Sequence, residues 1–202
     1  MATPFGHSLA GYAIYSSTAS ARNSPSRLHM ALLCLVVAMV PDLDLVPGIL
    51  IGKPVFYHGS FTHSLGFALV VSLSIAGIYR FKERSFPIVF KLCFLAYFSH
   101  LVLDFLGPDG RPPYGIPLFW PLSQAYFISP VPILLGTHHV AATSASTSEF
   151  LRGILNLYNL GAIALEALLI LPFAFLGKQS RTKKQLKSFV RRIGPQMEER
   201  KT

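Results

Sequence analysis

The sequence predicts an all-α, polytopic membrane protein, a helical bundle of four to five transmembrane helices with an interfacial lid. Three observations predict it. Of 202 residues, 51% are hydrophobic and only 13% charged, about half the charged share of an ordinary soluble domain. Mean hydropathy is +0.48. The apolar residues fall in long runs, punctuated by Pro, Gly and charged clusters, as membrane spans are. One transmembrane domain over residues 1–177 is expected, with a lid over 107–149 and a basic amphipathic tail over 178–202.

Taken in order, Pro4 to Ala21 is small and apolar, with His7 near its start. Pro4 suits a helix start, and Asn23-Ser24-Pro25 ends the run. It is short for a span and would alternatively lie flat. Leu28 to Val40 runs into Pro41-Asp42-Leu43-Asp44. Pro41 and Pro47 disfavour a regular helix through the acids, so a helix ending there and a partly buried re-entrant loop are expected.

Tyr57-His58-Gly59-Ser60-Phe61-Thr62-His63-Ser64 follows. Leu65 to Tyr79 reads as a span, ended by Arg80-Phe81-Lys82-Glu83-Arg84. Pro87 to Leu106 is another, with Lys91 near its start and His100 and Asp104 near its end. Gly107-Pro108-Asp109-Gly110 breaks it. Residues 111–149 are Pro-rich, with Tyr114, Trp120 and Tyr126, a composition suited to the membrane interface. Ser146 to Glu149 offers a helix start with an acid in the first turn. Arg152 to Leu176 reads as the last span.

The net charge of +9 is concentrated: nine of the 18 Lys and Arg follow Gly177. Leu186, Phe189, Val190 and Ile193 recur there at helical spacing. This is a membrane-surface helix whose partner is anionic lipid. Nucleic acid is disfavoured, because no recognition motif accompanies the charge. Cys34 and Cys93 lie inside apolar runs without metal or redox spacing and read as inert core thiols. No basic n-region opens the chain, so a cleaved signal peptide is not expected.

With the spans alternating, Arg22, Arg27, Arg80, Lys82, Arg84 and the tail fall on one face, which the positive-inside rule makes cytoplasmic. His7, Asp42, Asp44, His58, His63, His100, Asp104 and Glu149 fall on the other. An integral protein of the inner or plasma membrane is expected, with its polar grouping on the non-cytoplasmic side.

Those residues have metal-ligand chemistry. His100 and Asp104, four apart on a helix, share one face. Asp42 and Asp44 are two apart on irregular backbone. His58 and His63 bracket a Gly-Ser turn. An acid at membrane depth costs about 2.5–3.5 kcal/mol on insertion scales, so such a grouping calls for a function. His, Asp and Glu ligands suit zinc or a similar divalent ion. The candidates outnumber the four ligands of one zinc, so two ions fit, and paired ions bind phosphoryl groups and activate water. Glu149 reads as ligand, general base or simple helix-dipole acid. His7 alone would equally cap or snorkel. The doublet His138-His139 is a weaker candidate, His29 a structural one, and Ser60, Thr62 and Ser64 support or cap. Glu166, deep in the last span, pairs within the bundle with Lys91 or Asn159 and lies too far from the grouping to join it.

Gly6-His7-Ser8, Pro41-Asp42-Leu43-Asp44, His58-Gly59-Ser60-Phe61-Thr62-His63-Ser64 and Ser99-His100-Leu101-Val102-Leu103-Asp104, in that order, resemble the membrane-bound metal-dependent hydrolases of the DUF457 type, the LexA-binding inner-membrane-associated hydrolases. The resemblance covers roughly residues 5–155. It departs at Ser60, where the family usually has Arg, and at Gly107, where it usually has Thr. It implies a membrane hydrolase. The ligand order is similar, more distantly, to zinc-dependent phospholipase C enzymes.

The expectation is therefore a metal-dependent membrane hydrolase. Its substrate is a phosphoester, a lipid one if it enters laterally under the lid. His7, Asp42, Asp44, His58, His63, His100 and Asp104 would hold metal, with Asp44 or Glu149 as general base. The rivals are an ion or metal transporter using the same polar residues, and a non-enzymatic membrane anchor or regulatory partner acting through its tail.

Overall fold

The computed structural model describes residues 1–18, 27–80, 86–138, 147–154 and 156–199. Arg22, Asn23-Ser24-Pro25, Phe81 to Arg84, His139 and Ser146 lie outside these residues. The described chain is all-helical: α1 (Pro4–Thr18), α2 (Arg27–Met39), a 3-10 turn (Pro41–Asp44), α3 (Leu45–Leu50), α4 (Leu65–Arg80), α5 (Phe86–Leu106), α6 (Thr147–Ile154) and α7 (Leu157–Glu199). No strand occurs among the described residues, and an isolated bridge pairs Ile116 with Phe127.

Four to five spans is more than these helices supply. α5, at 21 residues, and the 27 residues Leu157–Lys183 of α7 are long and apolar enough to cross a membrane. α2 and the segment Pro41–Leu50 make a third only if their 48° bend lies within one span. α4 has 16 residues and α1 has 15; at about 1.5 Å per residue both fall short of a hydrocarbon core of roughly 30 Å. Pro41 starts the 3-10 turn that follows α2, consistent with the limits proline places on helical backbone. Ser64 Oγ accepts the Phe67 N–H at 3.1 Å and caps α4.

The last span also starts later than Arg152. α6 is a separate short helix, and Asn156 Oδ1 accepts the Asn159 N–H at 2.8 Å to open α7. α7 then runs without a break past Gly177 into the basic tail. Arg181 lies over the Tyr15 ring at 4.8 Å, so the first turns beyond Gly177 still pack on α1.

α1 is the hub, packed against α2, α5 and α7, while α4 and α2 both pack on α5. Gly11 permits the α1–α2 approach: a Cβ there would sit 2.5 Å from the Cys34 carbonyl oxygen, the reason small residues line close helix crossings. Met30, Cys34, Val37, Leu92, Cys93 and Tyr97 form the core. Both cysteines are free and buried, as expected. Leu168, Leu171, Phe173 and Phe175 remain exposed on α7, a face suited to lipid rather than water.

Candidate metal centre

Four parts of the chain converge at one end of the bundle. α1 brings His7 from its first turn. The 3-10 turn brings Asp42 and Asp44. The loop between α3 and α4 brings His58 and His63, and the last two turns of α5 bring His100 and Asp104. His7, His63, His100 and Asp104 are buried. The Asp42 side chain is 13% exposed, which places it at the mouth.

Their ligating atoms fall into three overlapping groups, each within 4.8 Å: His7, Asp42 and His100; Asp42, His58 and His63; His63, His100 and Asp104. Each of these groups of His and Asp can hold a metal ion. Asp42 Oδ1 faces His100 Nε2 at 3.6 Å, His63 Nε2 at 3.7 Å and His58 Nδ1 at 4.0 Å. Asp104 Oδ2 lies 3.0 Å from His100 Nε2 and 3.4 Å from His63 Nε2. Yet His63 Nε2, His100 Nε2 and Asp104 Oδ2 have no hydrogen-bond partner, and neither does His7 Nδ1. Buried polar atoms are almost always bonded, and leaving one unpaired costs about 1–3 kcal/mol. Three such atoms converging, two of them imidazole nitrogens and the third a carboxylate oxygen, is a donor set that fits a divalent cation.

The hydrogen bonds behind the imidazoles reinforce that fit. A carbonyl can only accept, so His100 carries its proton on Nδ1, donated to the Ala38 carbonyl at 2.8 Å. That leaves the Nε2 lone pair facing the cluster, the usual arrangement behind a metal-bound histidine. His7 stacks on His100, with ring centroids 3.6 Å apart.

Asp44 takes a different place from Asp42. Its Oδ1 accepts His58 Nδ1–H at 2.8 Å. Its Oδ2 accepts the Gly59 N–H at 3.1 Å and the Thr62 hydroxyl at 2.9 Å, and faces His63 Nδ1 at 3.2 Å. Asp44 is outside all three groups of ligating atoms. It was expected as a ligand and as a base. The structure instead places it behind the histidines, where it orients two imidazoles and ties down the His58–His63 turn. Gly59 makes that turn possible at φ +80°, backbone that favours glycine. Thr62 and Ser64 support and cap, as the sequence implies, and the Tyr97 hydroxyl donates to the Thr62 carbonyl at 2.6 Å.

His63 sits in the loop ahead of α4. Burial alone would lower its pKa, but the facing carboxylates of Asp42 and Asp44 outweigh burial and push it up to about 10. A histidine raised in this way stabilises the metal-free fold fully below its ordinary value of 6.5, and that contribution fades as pH rises through about 10. The melting temperature of chelator-treated protein should therefore fall between pH 7 and pH 10, and His63→Asn should flatten the profile.

Glu149 lies exposed on α6 and outside the three groups. His138 also lies outside them; its backbone N–H donates to Asn159 Oδ1 at 2.6 Å. Glu166 pairs neither with Lys91 nor with Asn159. Its Oε1 accepts the Thr3 N–H at 2.8 Å, and its Oε2 accepts the Thr3 hydroxyl. One residue earlier, the Ala2 N–H donates to Asp104 Oδ1 at 3.0 Å. Glu166 thus reaches the cluster through residues 2 and 3, a connection with no sequence signal.

Arg111 is the other residue that sequence reasoning passed over. Its guanidinium donates to the Val55 carbonyl and, at 2.6 Å, to the His58 carbonyl.

Fold and site together define an all-helical membrane protein with a buried His/Asp cluster capable of holding metal. Residues 1–182 match the profile of the YdjM inner membrane protein family, so the chain belongs to that family. It is also 36% identical over 113 residues to the inner membrane protein YbcI of Escherichia coli (strain K12), a match covering 52% of this chain and 60% of the relative. No solved structure matches the chain.

Proposed function

We propose that this protein is an integral membrane, metal-dependent hydrolase of phosphoesters. His7, Asp42, His58, His63, His100 and Asp104 hold zinc or a similar divalent ion, in one or two sites. The observation that carries this reading is the convergence of His63 Nε2, His100 Nε2 and Asp104 Oδ2, buried and without hydrogen-bond partners. Divalent ions at such a site neutralise phosphoryl charge and make water a nucleophile near neutral pH.

The residues themselves hold and position. Asp44 fixes His58 and His63, and the Ala38 carbonyl fixes His100. Asp42, the partly exposed carboxylate at the mouth, would hold the ion on the side from which substrate enters. Water oxygen would bond to phosphorus as the ester P–O bond breaks, and the proton of the water would go to the departing oxygen. In the membrane, the site faces the non-cytoplasmic side and the basic tail lies against anionic lipid on the cytoplasmic side.

A transport reading is less well supported. It needs polar groups lining a path to the far face, whereas the α7 acid Glu166 has both oxygens taken by Thr3. The test is a panel of phosphomonoesters and phosphodiesters assayed with zinc-loaded protein. Release of phosphate or alcohol is expected, abolished by chelator and restored by zinc. Absence of turnover on every member by fully metal-loaded protein would sink the hydrolase reading.

A further inference from the structure

Two clefts share a wall beside the cluster. The larger, about 540 Å³, runs between the starts of α1 and α7 and is lined by Phe5, Leu157, Leu160 and Ile163. The smaller, about 80 Å³, reaches Asp42 and His58. Pro4, Thr137 and Ile154 line both, so the apolar groove borders the cleft at the mouth of the His/Asp cluster. The groove opens along the first turns of Leu157–Lys183, a membrane-crossing stretch, and Leu160 is 61% exposed there. A hydrocarbon chain can enter it from the bilayer without crossing water.

On the other side of His58 lies a cleft of about 330 Å³ that includes Arg111. Arg111 bonds carbonyl oxygens through its guanidinium, while Asp109, which lines the same cleft, accepts the backbone N–H groups of Arg111 and Gly115. Carbonyl dipoles orient a guanidinium without cancelling its charge. Arginine so held, with donors to spare, is suited to phosphate oxygens.

We propose that these features form one subsite for a membrane phospholipid. Its acyl chain lies in the groove over Leu160 and Ile163, and its phosphate lies beside His58 in the cleft that holds Arg111. The proposal rests on the hydrolase reading for its purpose and deepens it by naming the substrate class. Charge complementarity selects the occupant: the groove is apolar, and the neighbouring cleft lined by His58 offers a guanidinium held by carbonyl oxygens.

The test is photolabelling of full-length, zinc-loaded protein in phosphatidylcholine nanodiscs. One probe is phosphatidic acid as its non-hydrolysable phosphonate analogue, with a diazirine in its acyl chain; the other is diacylglycerol with the same chain. Phosphatidic acid should label Phe5, Leu160 and Ile163 in preference to diacylglycerol. Ile163→Trp, which fills the groove, should cut that labelling about tenfold while retaining zinc. Arg111→Gln should erase the preference for the phosphate-bearing probe, and Arg111→Lys should restore part of it. Equal labelling by both probes, or labelling spread over Leu168 and Phe173 and unaffected by Ile163→Trp, would overturn the proposal. Labelling needs no turnover. An inactive protein labelled as expected would fail the hydrolase reading and keep the subsite; turnover of water-soluble phosphoesters without groove labelling would do the reverse.

Discussion

Asp104→Asn should abolish the rise in melting temperature that zinc gives the wild-type protein. Asp104 is buried at the end of α5, with Oδ1 bonded to the Ala2 N–H and Oδ2 turned toward His63 and His100. Asparagine has nearly the same shape and can keep the Ala2 bond, but it lacks the negative charge that a divalent ion needs. Ligand binding to the native state stabilises it by RT ln(1 + [L]/Kd), about 2.7 kcal/mol at a hundredfold excess over Kd. A loss of affinity on the order of 100-fold removes most of that gain. Thermal melts of the wild type and Asp104→Asn, each with zinc and with chelator, read the difference directly. Equal zinc-induced shifts in the two proteins would show that Asp104 holds no metal.

Asp42 and Asp44, only two residues apart, should behave as opposites. Asp44 holds His58 Nδ1, the Gly59 N–H and the Thr62 hydroxyl. Asp44→Ala strips all of these at once and leaves the buried turn without its acceptor, at a cost of about 3–5 kcal/mol by analogy with broken buried pairs. Asp42 faces its three imidazoles at 3.6, 3.7 and 4.0 Å and ties down no loop backbone. Asp42→Ala should therefore lose metal, and in chelator it should lower the melting temperature less than Asp44→Ala does, by its share of the His63 stabilisation. Denaturation of both variants in chelator separates the roles. If Asp42→Ala were the more damaging there, the assignment of orienting and ligating carboxylates would be reversed.

Much of this site was legible in the sequence because its chemistry is unusual for its surroundings. Histidine and aspartate at the ends of apolar runs stand out, and the spacing of His100 and Asp104 fixes a shared helical face. What spacing could not tell is which carboxylate serves which purpose. Asp42-Leu43-Asp44 reads as a pair, and only the course of the His58–His63 turn sends one carboxylate behind the rings and the other among them. Contacts between distant parts of the chain were illegible for a related reason. Thr3 meets Glu166 across 163 positions, and Arg111 reaches His58 across 53; nothing local marks either pairing.

Of the fold, the helical class was legible from hydropathy alone. The number of spans was not, because apolar sequence fills membrane-buried loops and short helices as readily as it fills spans. The four-to-five count treated every apolar run as a crossing. α4 fills its run with only 16 residues, the Asn156 cap opens α7 later than Arg152, and the chain bends by 48° after α2.

The buried His/Asp cluster is proposed as a metal site. Elemental analysis of full-length protein, purified without chelator or affinity metal, tests it most directly, with His63→Ala and His100→Ala prepared in parallel. One or two equivalents of a divalent transition metal, zinc foremost, are expected per wild-type chain, with substoichiometric amounts in both variants. A wild-type protein free of metal even after incubation with zinc, or variants that retain the wild-type content, would contradict it.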